Sequence, residues 1–252
     1  MPRAVLSVFG TLLILLITLP AFSDSQENPA AIPAPRQVEF EWMSLDTWHK
    51  RHQTNVDRAK QGKAELLFLG DSITEGWTWG DNQTIFDKTF GKYTTANFGI
   101  GGDQTQNLLW RLQNGSVGKL QPKLVVLMIG TNNFGHSNHT PEQVAGGVRA
   151  VIDEITRAFP DARILLMGVL PYGHEATSDS RVRVAKTNTL LASFNDDNTL
   201  FYYDFGSLYL DDRGRIPAER MADFLHPTHQ GYQMLADHLG PVVDQLLEGK
   251  TP

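Results

Sequence analysis

The chain has no cysteine, which rules out thiolate nucleophiles, thiolate metal ligands, a lipid-modified cysteine and any disulfide. Whatever fold it adopts is stable without covalent staples. It has no basic excess either: 22 Lys and Arg stand against 28 Asp and Glu, for a formal net charge of −6. No basic stripe offsets that balance, so binding to a nucleic-acid backbone is not expected. There is no internal repeat, no low-complexity tract and no Gly-x-Gly-x-x-Gly fingerprint, so a dinucleotide site has no sequence support.

The first 23 residues read as an address. Arg3 is a minimal positive region, Val5 to Leu19 is nearly all apolar, Pro20 breaks the run, and Ala21-Phe22-Ser23 supplies small residues for a cleavage site. Residues 1–23 are therefore expected to be a signal peptide, and an uncleaved anchor is the competing reading because the run approaches the ~20 residues that span a bilayer. Cleavage after Ser23 removes Arg3 and no acid, which takes the charge from −6 to −7. The expected location is exported, periplasmic or secreted, with no stable membrane insertion once the leader is gone. Residues 24–38, with Pro29, Pro33 and Pro35, read as an extended linker. Residues 39–252 remain, enough for a single α/β domain.

Leu66 to Leu69 is a short, unbroken apolar run suited to a strand buried on both faces. It ends at Gly70-Asp71-Ser72. Further strands are predicted at Thr94–Phe98, Lys123–Ile129, Arg163–Leu170 and Thr199–Phe205. They alternate with helices near 45–60, 85–93, 104–112, 141–159, 181–194 and 227–247. This alternation predicts a five-stranded parallel sheet covered on both faces. In such a fold ligands gather at the carboxyl ends of the strands, which is where Ser72 falls. A lone Gly-Asp-Ser is more often a plain turn; the other strand ends change that reading.

Gly102 follows the second strand and Asn132 the third, while Asp223 and His226 precede the last helix. A carboxylate three residues before an imidazole, in a tight turn, can hold its Nδ1 and leave Nε2 to take a proton from a serine hydroxyl. Serine needs such a base to be a useful nucleophile. The resulting oxyanion needs donors, and the Ser72 N–H, Gly102 N–H and Asn132 side-chain amide are the natural set.

Gly70-Asp71-Ser72, Gly102, Gly130-Thr131-Asn132-Asn133 and Asp223-x-x-His226 resemble blocks I, II, III and V of the SGNH (GDSL) hydrolases. Asn97 to Asp103, Leu109-Trp110-Arg111-Leu112 and Asp223-Phe224-Leu225-His226 are similar to the branch typified by the catalytic subunits of platelet-activating-factor acetylhydrolase. Asn133 stands where many family members carry Asp. The resemblance implies a flavodoxin-like three-layer α/β/α sandwich with a serine esterase site that needs no metal and no cofactor. It also implies that Ile73, Thr131 and Leu225 wall a short acyl pocket suited to acetyl; ordinary packing is the alternative for all three. The expected substrate is a small-molecule or glycan ester, with O-acetylated carbohydrate first and a short-chain lipid ester second. A lysophospholipase- or thioesterase-type enzyme and a non-catalytic carbohydrate-binding protein are the rival functions. A homodimer is compatible with this reading.

Other candidates have plainer explanations. His229 and His238 could join His226 at a metal, but a solvated helix face accounts for them. Asp71 reads as a turn former or helix cap. Trp77 and Trp79 could stack on a sugar at the mouth of the site or simply pack. His136, Tyr172 and His174 lie after strand ends and are open to either reading.

Overall fold

Leu66, Phe68, Leu124 and Val126 pack on one side of the sheet and Leu67, Leu69, Val125 and Leu127 on the other, as the two-residue strand period requires. The computed structural model describes Met1 and residues 27–251. Its strands are β1 (Leu66–Gly70), β2 (Thr95–Gly99), β3 (Leu124–Met128), β4 (Arg163–Met167) and β5 (Leu200–Tyr203). All are parallel, in the order β2-β1-β3-β4-β5. The α-helices are α1 (Leu45–Lys60), α2 (Ser72–Glu75), α3 (Asn82–Phe90), α4 (Thr105–Arg111), α5 (Thr131–Ser137), α6 (Pro141–Ala158), α7 (Asp179–Ala192) and α8 (His229–Leu247). One core joins residues of α1, α4, α6 and α7 to the sheet, and the other joins α3 and α8 to its opposite face. The result is a flavodoxin-like three-layer α/β/α sandwich, as expected.

The fold places the site through its strand order. The chain winds outward from β1 to β2, then crosses back over β1 to β3, so the crossovers leave the sheet in opposite directions between β1 and β3. A crevice opens at that reversal, at the carboxyl ends of both strands. Ser72 follows β1 and Asn132 follows β3.

Several local expectations shift. Gly-Asp-Ser is not a bare turn, because Ser72 opens the four-residue helix α2. Asn132 sits in the first turn of α5, a helix not anticipated. The last helix starts at His229 rather than near Pro227, because Thr228 takes the N-cap and its hydroxyl accepts the Gly231 N–H at 3.1 Å. The signal-peptide reading of residues 1–23 lies outside the described residues. The described part of the linker reading, residues 27–38, is docked rather than free. Pro29–Ala31 forms a 3₁₀ turn with Ala30 fully buried, and Ala30 O accepts the Thr105 hydroxyl at 2.7 Å. Among the described residues no helix is long and apolar enough to cross a membrane.

Candidate active site

Asp71 follows β1 and caps α2: its Oδ1 accepts the Ile73 N–H at 3.0 Å. The predicted capping role therefore stands. The carboxyl is 1% exposed, and burial, aided by nearby Asp103 and Glu75, raises its pKa to about 7 against the pull of the Ile73 N–H. The cap turns the chain so that Ser72 Oγ lies 2.9 Å from His226 Nε2, across 154 residues of sequence. His226 Nδ1 lies 2.6 Å from Asp223 Oδ2. Asp223 Oδ1 also accepts the Leu225 and His226 N–H groups, at 3.0 and 2.7 Å, closing a tight turn in which Phe224 takes a positive φ of 58°. Burial works against the Asp223 carboxylate, but the bonds from His226 outweigh it and hold its pKa below the ordinary value. The arrangement can move a proton: a carboxylate fixes the imidazole, and the imidazole meets the hydroxyl.

Donors gather on the other side of Ser72. Among the described residues neither the Ser72 N–H nor the Gly102 N–H is given to a loop, turn or side-chain acceptor. Asn132 Nδ2 donates one hydrogen to Asp103 O at 3.0 Å, which holds its amide beside the Gly102 loop. Gly102 adopts φ +75°, which favours glycine, and a Cβ there would stand 2.7 Å from Trp42 Cη2 and 2.8 Å from Arg36 Nη2, so any side chain would be strained and would push those two groups aside. Above these groups opens a cavity of about 420 Å³, lined by Ser72, His226, Gly102, Asn132 and Leu225 together with Trp42, Met43, Arg51, Glu75, Trp79 and His136.

A family profile described as the GDSL-like Lipase/Acylhydrolase family matches residues 68–234, from β1 through the Ser72, Asn132 and His226 positions into α8. The chain belongs to that family. It is 36% identical over 232 residues to the platelet-activating factor acetylhydrolase IB subunit alpha2 of Homo sapiens, covering 91% of this chain and 96% of the human one. Two solved structures share the fold. A GDSL-like lipase from Bacteroides thetaiotaomicron superposes with a TM-score of 0.61 at 19% identity, covering 80% of this chain and 97% of that one. A carbohydrate acetylesterase from Sinorhizobium meliloti does so with a TM-score of 0.57 at 16% identity, covering 73% and 100%. This GDSL chain is thus a serine hydrolase of the acylhydrolase type.

The remaining sequence candidates scatter. Of the three residues expected to wall an acyl pocket in this GDSL hydrolase, only Leu225 lines the cavity. Ile73 is 2% exposed and faces the core beneath α2, packed with Trp77 and Tyr232, because the short helix turns the side chain after Ser72 inward. Thr131 is buried at the start of α5. Trp77 packs in the core, whereas Trp79 is at the cavity. His136 also lines the cavity, with its ring 4.4 Å from that of Phe40. Tyr172 packs against the α6 side of the core, and the His174 ring lies 4.8 Å from Phe224, behind the Asp223 turn. His229 and His238 have separate partners, Asn82 Oδ1 and Met234 O. Asn133 is buried: its Oδ1 accepts the Thr105 N–H and its Nδ2 donates to Thr105 Oγ1, a two-way role that a carboxylate could not fill.

Sequence reasoning missed the support beneath Gly102. Asp103 is fully buried and takes Arg111 Nε at 2.7 Å, Trp48 Nε1 at 2.6 Å and Arg36 Nη2 at 3.3 Å. Arg36 Nη2 also donates to Gly101 O at 2.5 Å, and Gly101 N–H donates to Glu75 Oε2 at 2.9 Å. These bonds fix the glycine loop from both sides. The one available signal was Arg111, a charge set among the apolar Leu108, Leu109 and Leu112. Nothing in the sequence links Arg36 to residues 67 positions away.

Proposed function

We propose that this chain is an exported serine ester hydrolase that removes short acyl groups, acetyl first, from O-acetylated carbohydrate. The observation that carries the reading is the line from Ser72 Oγ to His226 Nε2 at 2.9 Å and from His226 Nδ1 to Asp223 at 2.6 Å. Ser72 Oγ attacks the ester carbonyl while His226 Nε2 takes the hydroxyl proton. The tetrahedral oxyanion is held by the Ser72 and Gly102 N–H groups and Asn132 Nδ2. On collapse, His226 returns the proton to the leaving alcohol. Water, activated by the same imidazole, then frees the acyl group and restores Ser72. Asp223 orients the ring and stabilises the imidazolium.

The acetyl assignment is supported by the human relative, named as an acetylhydrolase. Export is supported by the leader-like residues 1–23. The relative's printed substrate, platelet-activating factor, favours a second reading in which a short-chain lipid ester is cleaved at the same site. Ser72→Ala should lower p-nitrophenyl acetate turnover by ~10⁴–10⁶; wild-type turnover in that variant overturns the proposal. Comparison of acetyl with decanoyl esters separates acetylhydrolase from long-chain lipase, and fractionation of the producing cell tests export.

A further inference from the structure

Two of the chain's tryptophans are exposed, Trp42 at 58% and Trp79 at 43%, and both line the cavity above Ser72. Trp48 and Trp77 are buried in the core. The main chain around Trp79 is tied down: its N–H donates to Gly76 O at 3.1 Å and its carbonyl accepts the Asn82 N–H at 3.0 Å. Asn82 Nδ2 donates to the same Gly76 carbonyl at 2.9 Å. An anchored loop therefore presents a large apolar ring to the cavity.

The two rings stand at different ends of the reaction. Trp42 lies against Gly102, where the carbonyl oxygen of an ester would sit. The Trp79 ring is centred 5.7 Å from the His226 imidazole, with the planes inclined by 55°. In ester cleavage by Ser72, the leaving oxygen must collect its proton from His226 Nε2, so the alcohol portion extends on the His226 side of the centre. Arg51 and Glu75 line the same cavity and are paired with one another. The pair places hydrogen-bonding groups at the mouth. An aromatic face beside hydrogen-bonding side chains suits a ring that has apolar faces and a hydroxylated edge.

Resting on the esterase reading, we infer that Trp79 is a specificity-determining residue: it is the platform for the alcohol portion of the substrate, and that portion is a sugar ring. The test compares glucose pentaacetate with ethyl acetate, which has no ring, by titrating the acid released. Wild-type enzyme, Trp79→Phe and Trp79→Ala are assayed on both. Trp79→Ala should lower the ratio of kcat/KM for the sugar ester over ethyl acetate roughly tenfold, chiefly through KM, and Trp79→Phe should recover most of it. An unchanged ratio in Trp79→Ala overturns the inference, as does a wild-type enzyme that cleaves ethyl acetate and ignores the sugar ester. A wild-type enzyme inert on both esters overturns the esterase reading instead.

Discussion

Asp71→Asn should make the protein more stable at neutral pH, by an amount that grows with pH. Asp71 has an ordinary pKa of 3.8 and is raised to about 7 in the fold. Below about pH 4 the carboxyl is protonated in both folded and unfolded chains, so burial costs nothing in charge. Between those values the folded chain keeps a proton that the unfolded chain releases, and stability falls as pH rises. Each pKa unit corresponds to ~1.4 kcal/mol, so the penalty should grow by ~3 kcal/mol between pH 5 and pH 8. Asparagine retains an oxygen for the Ile73 N–H and cannot ionise, so it keeps the cap and loses the slope. Urea unfolding of both proteins at pH 5, 6, 7 and 8 gives the difference directly, with other titrating groups cancelling. The variant's advantage should rise with pH and level off above about 7. A difference flat across this range would refute the assignment of a buried, proton-retaining Asp71.

Four further outcomes are expected. Asp223→Asn should preserve the turn but lose the charge that orients His226, lowering acetate-ester kcat by ~10⁴ with little change in Tm. Asn132→Ala should cost ~10²–10³ in kcat, read with p-nitrophenyl acetate. Gly102→Ala should reduce the same activity by a similar ~10²–10³, because a Cβ at φ +75° collides with Trp42 and Arg36 and displaces the N–H. Asp103→Ala should destabilise the fold by ~3–5 kcal/mol in urea unfolding, since it leaves Arg36 and Arg111 buried without their carboxylate.

The strands and the long helices were legible because their signals are local. Leu66–Leu69 is too short and too apolar for anything but a doubly buried strand, and the helix expected at 45–60 matches α1 from Leu45 to Lys60. The site was legible where chemistry demands unusual neighbours, as at Asp223 and His226, which the fold brings to Ser72. Two short helices at the strand ends were not. α2 and α5 are four and seven residues long; Ser72-Ile73-Thr74-Glu75 and Thr131-Asn132-Asn133-Phe134-Gly135 carry no apolar period, and each helix follows directly on a strand end that positions it. The turn of α2 is also why Ile73 faces the core rather than the cavity. The Asp103 cluster was hidden because its members are bonded across 55 and 67 residues, a distance no pattern in one sequence can bridge.

The docking of residues 28–36 ties the backbone ahead of α1 to the glycine loop. Arg36 is both the last part of the chain's entry path and a clamp on Gly101 and Asp103. A chain trimmed to begin at Glu39 would keep Ser72, Asp223 and His226 yet lose one wall of the glycine loop. The backbone ahead of α1 thus belongs to the catalytic pocket as much as to the chain's approach to it, and trimming it past Arg36 would alter turnover.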